Sequence, residues 1–283
     1  MNSGLLDGED MIIASPTASG KTLIAELAMI NKTVKKDETA IYIVPLKSLA
    51  SEKFQDFKER FEDQKVHISV GDLDDSGEGH ETADIVVVTS EKLDSMLRHN
   101  PSWINNIGLV VVDEIHLLTS EERGTTLEVT ISRLQELLEF QLLGLSATIS
   151  NSDELADWLD AELIESEYRP VDLEHGIHWN HKVKFYSEEE KEKAEESSSD
   201  TGSWQTGAEI KEKGFSENNT REIDIKNKYE KATQNLILDT LEKEKQSITF
   251  CSSRKGAEKA SDRASEVTED KLTREERNEL ENY

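Results

Sequence analysis

A single cysteine, Cys251, stands among the 283 residues, so no internal disulfide can form and no cysteine pair offers a metal site. Cys251 falls in the apolar run Ser247-Ile-Thr-Phe-Cys251, where a small buried core residue is its expected role. Long hydrophobic stretches are also missing. No apolar run approaches the roughly 18 residues of a membrane span, and no apolar targeting segment opens the sequence. These absences lead us to expect a cytoplasmic chain with no membrane partner. Basic residues are scarce as well: 33 Lys and Arg face 60 Asp and Glu, a formal charge of -27. Alone, that balance argues against a nucleic-acid partner, but net charge bears on solubility and association rather than on any one cleft. An acidic surplus spread over the chain is also what a protein from a high-salt cytoplasm would show. At about 1 M salt the Debye length is only about 3 Å, so self-repulsion is screened.

Against this background one stretch stands out, Ala14-Ser-Pro-Thr-Ala-Ser-Gly-Lys-Thr22. It follows the apolar run Met11-Ile-Ile13 and precedes a helical pattern of Leu23, Ile24, Leu27, Ala28 and Ile30. Strand, tight loop and helix in that order, with the loop ending Gly-Lys-Thr, make a phosphate cradle. Loop N–H groups and the helix N-terminus face an anion together. Ser15, Pro16, Thr17, Ala18, Ser19 and Gly20 would form the cradle. Lys21 would reach the terminal phosphates of ATP, and the Thr22 hydroxyl would ligate Mg²⁺. Ala18 occupies a common glycine position, and its methyl is compatible with the loop only at negative φ.

Through the first 165 residues short apolar runs alternate with amphipathic segments. Strands are expected at Met11–Ala14, Ala40–Val44, His67–Val70, Asp84–Thr89, Leu109–Val112 and Leu142–Leu145. Helices are expected at Leu49–Phe61, Ser90–Leu97, Thr125–Phe140 and Asp153–Leu159. Runs such as Ile85-Val-Val-Val and Leu109-Val-Val-Val are apolar on both faces, as parallel strands covered by helices require. The pattern predicts a doubly wound α/β domain with its ligands at the carboxyl ends of the strands. Residues 166–187 read as a short β connector, with strands at Val171–Leu173, Gly176–Trp179 and Lys182–Tyr186. Residues 188–220 are almost all charge, serine, glycine and asparagine, the composition of an insert or linker that cannot offset its ordering entropy. Residues 221–283 resume with a helix at Tyr229–Lys243, a strand at Ser247–Cys251 and a helix at Ser252–Ala264. His175, His178 and His181 invite a metal reading, but spacings of three do not align on one strand face.

Two further motifs lie at expected strand ends. In Asp113-Glu-Ile-His116 an acid follows a buried strand, where a P-loop enzyme places its Mg²⁺-binding carboxylate. Asp113 would hold the metal, and Glu114 would orient the attacking water and accept its proton. Leu145-Ser-Ala-Thr148 places small hydroxyl residues, Ser146 and Thr148, where they can bridge His116 and the carboxylates to a neighbouring surface. Alone, Ser-Ala-Thr is ordinary helix-cap chemistry.

Together these segments, with Pro45-Leu-Lys-Ser-Leu-Ala50 and Thr89-Ser-Glu-Lys-Leu93, resemble motifs I, Ia, Ib, II and III of superfamily 2 DExH-box helicases. Arg123-Gly-Thr-Thr-Leu-Glu128 and Arg169-Pro-Val-Asp-Leu173 are similar to segments of the Ski-like branch, and Thr249-Phe-Cys-Ser-Ser-Arg254 resembles motif IV. Within that branch the chain looks most like the archaeal replication-fork repair helicases related to the helicase part of polymerase theta. The resemblance implies a RecA-like P-loop domain, with the start of a second one, in a monomeric ATP- and Mg²⁺-dependent DNA helicase translocating 3′ to 5′. Single-stranded or forked DNA is the implied partner, and RNA the alternative within the branch. By that resemblance Lys21, Glu114 and His116 are catalytic. The nucleic-acid groove is lined by Pro45, Lys47, Ser48, Thr89, Ser90, Lys92, Arg123 and Gly124, with Ser252, Ser253 and Arg254 from the second lobe. The family's adenine-reading segment and its later second-lobe motifs, which carry an arginine finger, are not found in the sequence. The loop is therefore expected to bind nucleotide better than it can use it, and a non-catalytic binding module is the rival reading.

Overall fold

Alternation along the strands feeds two separate cores. The computed structural model describes residues 4–71, 80–99, 101–120, 124–147, 151–179, 181–186 and 221–269. The chain divides into two compact units, Met1–Asp172 and Leu173–Tyr283. In the first unit the strands are β1 (Met11–Ala14), β2 (Thr39–Val44), β3 (Val66–Ser69), β4 (Ile85–Thr89), β5 (Ile107–Val112), β6 (Gln141–Ser146) and β7 (Glu162–Glu165). They form one sheet in the order β3-β4-β2-β5-β6-β1-β7, and every neighbouring pair is parallel. The helices are α1 (Lys21–Lys36), α2 (Lys47–Arg60), α3 (Ser90–Leu97), α4 (Gly124–Leu137) and α5 (Ser152–Leu159).

One set of alternate positions, including Ile13, Tyr42, Val44, Val87, Val111 and Leu145, is buried with Ala25 and Met29 of α1 and Ala50 and Phe57 of α2. The other set, including Ile12, Ile43, Val88, Val110 and Val112, is buried with Leu93 of α3, Leu127, Ile131 and Leu134 of α4, and Leu155 of α5. Helices therefore cover both faces, which is why the strand sequences read as unbroken apolar runs. Arg60 of α2 donates through Nη1 to both carboxylate oxygens of Glu26 in α1, at 2.7 and 2.8 Å, and so ties the two helices of one face. α1 ends at Asp37, a left-handed cap at φ 57°, after Lys35 and Lys36 in its last turn.

The expected strands and helices of this unit form within a few residues of their predicted ends. β7 was not anticipated: its Leu163-Ile164 pair is too short for a strand signal, and only pairing with β1 reveals it. Val171–Leu173 is not a strand. Both apolar side chains are exposed there, and no ladder holds the backbone.

In the second unit β8 (His175–Trp179), β9 (Lys182–Tyr186) and β10 (Glu222–Asp224) form an antiparallel sheet in the order β10-β9-β8. α6 (Ala232–Glu242) and α7 (Arg254–Glu269) pack together, with Gln234 donating to the Arg263 carbonyl at 3.0 Å and to Glu266 at 2.9 Å. The Asn235 carboxamide accepts from the amides of Lys228 and Tyr229, which fixes the entry to α6. Ser247–Cys251 corrects two expectations. It forms no strand, and Cys251 is exposed rather than buried, beside Ile248 and Phe250 at 81% and 91% exposure. A two-sided apolar strand needs partners on both edges, and among the described residues none pairs with this segment. The low-complexity segment 188–220 lies outside the described residues.

Candidate active site

Adjacent strands β5, β6 and β1 end on the same edge of the sheet, and each end carries one of the sequence motifs. The loop after β1 is anchored where the Ser15 amide donates to the Ser146 carbonyl at 3.1 Å, so the cradle is bonded directly to the end of β6. Within it the Ser15 and Ser19 hydroxyls are 2.7 Å apart, and the Ser19 amide donates to the Pro16 carbonyl at 3.3 Å. Gly20, at φ 95°, turns the chain into α1. Ala18 sits at φ 66°, in the left-handed region, against the expectation of negative φ. The closed loop requires that turn, and the methyl accepts its strain.

Lys21 folds back across the loop, its Nζ donating to the Ser15 carbonyl at 2.6 Å and the Pro16 carbonyl at 3.0 Å. Burial pushes its pKa down, while Glu114 and Asp113 pull it up. A cation held at the cradle's mouth and facing two carboxylates is placed to exchange loop carbonyls for phosphate oxygens. The Lys21 and Thr22 amides open α1 beside the loop, ahead of the first helical bonds, from the Leu23 and Ile24 amides to the Gly20 carbonyl at 3.0 and 3.3 Å.

Asp113 follows β5 directly, and its amide still bonds the Ile43 carbonyl of β2 at 2.9 Å. Its Oδ1 accepts the Glu114 amide at 3.1 Å. Glu114 adopts φ 52°, a strained conformation for a non-glycine residue, and starts a short 3₁₀ turn over Ile115–Thr119. That turn lies on β6 because Gly144 leaves room for it. A Cβ at Gly144 would meet the Ile115 Cδ1 at 2.7 Å. His116 Nδ1 is 3.4 Å from Glu114 Oε2 and 3.5 Å from the fully buried Ser146 Oγ. The imidazole thus lies within reach of both the second and the third motif. Thr148 lies outside the described residues.

Two participants escape sequence reasoning. Tyr42 of β2 is fully buried, and its hydroxyl donates to Asp113 Oδ2 at 2.9 Å. Burial together with Asp113 drives the tyrosine pKa far upward, and the nearby Thr22 hydroxyl offsets a part of that. Lys53 of α2 donates to Thr22 Oγ1 at 3.4 Å. Tyr42 reads as an ordinary core residue until the β2–β5 register sets it opposite Val111, two residues before Asp113. Hydroxyl and carboxylate oxygens converging here are the hard donors that Mg²⁺ accepts, so the residues fit such an ion, with Thr22 and Asp113 to hold it.

Of the groove candidates of the first unit, Pro45, Lys47 and Ser48 follow β2, while Thr89 ends β4 and Ser90 and Lys92 lie in the first turn of α3, on the same edge of the sheet. Lys47 and Ser48 are exposed, Pro45 and Lys92 half-buried, and Thr89 and Ser90 buried. Ser90 is instead tied into the fold, its carbonyl accepting from the Thr130 hydroxyl at 3.4 Å. Gly124 is buried at the start of α4, where a Cβ would stand 2.1 Å from the Leu118 carbonyl oxygen. Arg123 lies outside the described residues. A small cleft lined by Pro45, Ser90, Asp113 and Leu117 brings the groove candidates and the motif carboxylate to a common wall. Ser252, Ser253 and Arg254 are exposed in the second unit, where the Ser253 hydroxyl accepts the Gly256 amide at 3.1 Å and caps α7.

A family model described as DEAD/DEAH box helicase matches residues 2–155. The chain belongs to that family. It is 40% identical over 281 residues to the ATP-dependent DNA helicase Hel308 of Pyrococcus horikoshii, covering 99% of this chain and 34% of that protein. To the Hel308 of Thermococcus kodakarensis it is 38% identical over 282 residues, covering 99% of this chain and 22% of that protein. The chain thus spans about a third or less of these relatives' length. Among solved structures the DUF1998 helicase MrfA superposes with a TM-score of 0.66 at 22% identity, covering 95% of this chain and 37% of that one, a likeness of fold. The DEAD/DEAH box fold and the parallel sheet described above agree.

Proposed function

We propose that the chain is the nucleotide-binding part of an ATP-dependent DNA helicase that tracks 3′ to 5′ along one strand. The observation that carries this reading is the meeting of Lys21, Asp113, Glu114 and His116 with Ser146 at the ends of three adjacent strands. In this reading Ser15–Gly20 wrap the phosphates of ATP, and Lys21 leaves the loop carbonyls to bond the terminal ones. Thr22 and Asp113 hold Mg²⁺, which supplies charge stabilisation at the transferring phosphoryl group when bound. Glu114, displaced from the metal ligand by one residue, orients the attacking water and takes its proton. His116, within reach of both Glu114 and Ser146, links the state of that carboxylate to the third motif.

DNA is favoured over RNA because the Hel308 relatives named above are DNA helicases. Lys47, Ser48, Thr89, Ser90 and Lys92 suit phosphate contacts, which set register without reading sequence, and Arg123 and Gly124 extend that set. Ser252, Ser253 and Arg254 offer hydroxyls and a guanidinium for the same purpose from residues 221–283, which we read as part of a second RecA-like lobe, with 166–187 as its β connector. Residues 1–165 then constitute the first lobe, and 188–220 a linker.

The test is turnover in a full-length relative. Replacing the residue equivalent to Glu114 by Gln should abolish DNA-stimulated ATP hydrolysis and leave nucleotide binding in place. Hydrolysis at the wild-type rate would overturn the assignment, and preferential unwinding along an RNA tracking strand would overturn the choice of DNA.

A further inference from the structure

Tyr42 belongs to none of the motifs, yet its hydroxyl donates to one of the two groups assigned above to the metal. Three observations define its situation. The ring is immobilised, fully buried in β2 with its edge on Phe57 at a centroid distance of 5.1 Å and 75° between planes. Phe57 in turn stacks on Phe61 at 5.8 Å, so the ring has no free volume to swing into. The phenol donates to Asp113 Oδ2 at 2.9 Å. On the other side of the site, the Lys53 ammonium donates to Thr22 Oγ1 at 3.4 Å.

We propose that Tyr42 is a positioning residue for the divalent-cation site, holding the Asp113 carboxylate in the orientation that presents lone pairs to the metal. The inference rests on the nucleotide reading of the site. A carboxylate has about four acceptor positions. Occupying one position on Asp113 Oδ2, while the Glu114 amide occupies one on Oδ1, leaves a lone pair on each oxygen and fixes the carboxylate's rotation. Partners behind metal ligands act in this way, and losing one typically weakens metal binding by about 10- to 100-fold. The competing explanation is that the phenol merely finds an acceptor because it is buried. The two differ in what removal of a single oxygen does. Tyr42→Phe keeps the ring on Phe57, so a filler role predicts no change in metal response.

The experiment titrates a fluorescent ADP analogue into the chain across a Mg²⁺ series and in EDTA, and follows Mn²⁺ binding in parallel by electron paramagnetic resonance. Tyr42→Phe should keep its EDTA affinity for nucleotide within about twofold, while the Mg²⁺ and Mn²⁺ midpoints rise about tenfold. Phe57→Leu, which loosens the Tyr42 ring without removing a polar group, should shift them in the same direction by less, which keeps the inference testable if Tyr42→Phe fails to fold. Lys21→Ala reports on the site itself: undiminished nucleotide affinity there would sink the nucleotide reading. Lost affinity in Lys21→Ala together with wild-type metal midpoints in the other two variants would overturn the role of Tyr42 alone.

Discussion

Two residues at the site hold conformations that a sequence pattern does not display. Ala18 at φ 66° and Glu114 at φ 52° occupy the left-handed region without being glycine. A left-handed L-residue costs roughly 1–2 kcal/mol, and glycine returns part of that as chain entropy. Ala18→Gly should therefore raise stability by about 0.5–1 kcal/mol, measured by urea unfolding; destabilisation would show that the methyl makes a needed contact. Gly144→Ala should cost about 1–3 kcal/mol, because overpacking against Ile115 must displace the turn that carries Glu114 and His116. Asp10 gives a pH-dependent case. Burial raises its pKa, opposed by the Leu142 amide that donates to it at 2.7 Å and by Lys32, and aided by Asp160. A carboxyl whose folded pKa lies above its unfolded value binds protons more readily when folded, so its ionisation is a cost that grows as pH rises through that range. Asp10→Asn, which keeps an acceptor for Leu142, should stabilise the chain at neutral pH and lose that advantage below the ordinary carboxylate range near 3.8. Thermal melts across pH would show it; an equal gain at low pH would refute it. Lys21, Asp113 and Glu114 were legible in the sequence because loop chemistry fixes their spacing. Tyr42 and Lys53 were not, because their contacts depend on strand register and on how α2 lies over the sheet.

At the level of elements, β2, β4, β5 and β6 were legible because burial on both faces leaves few polar positions to blur the pattern. β7 (Glu-Leu-Ile-Glu) and β10 (Glu-Ile-Asp) hold one or two apolar residues between acids, and a signal that weak is recognisable only from the neighbouring strand. The opposite error at Ser247–Cys251 has the same root, since apolar residues predict a strand only where partners exist to pair with it. The contact between α1 and α2 yields an asymmetric prediction. Glu26 is 6% exposed and Arg60 is 59% exposed, so removing the arginine strands a buried carboxylate, whereas removing the glutamate frees a solvated cation. Arg60→Ala should cost about 1–2 kcal/mol after allowance for solvent screening, and Glu26→Gln less. Chemical unfolding of both variants would check the order, and the reverse order would contradict it.

For the whole molecule, the formal charge of -27 is the least site-specific feature and the one that argues most against the nucleic-acid partner proposed above. Self-repulsion from such a surplus should be relieved as salt shortens the Debye length from about 10 Å at 0.1 M to about 3 Å at 1 M. The melting temperature should then rise between low and molar KCl, and a flat profile would remove the case for adaptation to high salt. The central claim concerns the edge of the sheet where Lys21 closes the loop and Glu114 faces it. ATP affinity of the chain, measured by calorimetry for the wild type, Lys21→Ala and Glu114→Gln, tests it most directly. The account predicts that Lys21→Ala binds at least about tenfold more weakly, a loss of about 1.4 kcal/mol, while Glu114→Gln binds as well as the wild type. Equal affinity in Lys21→Ala and the wild type would contradict it.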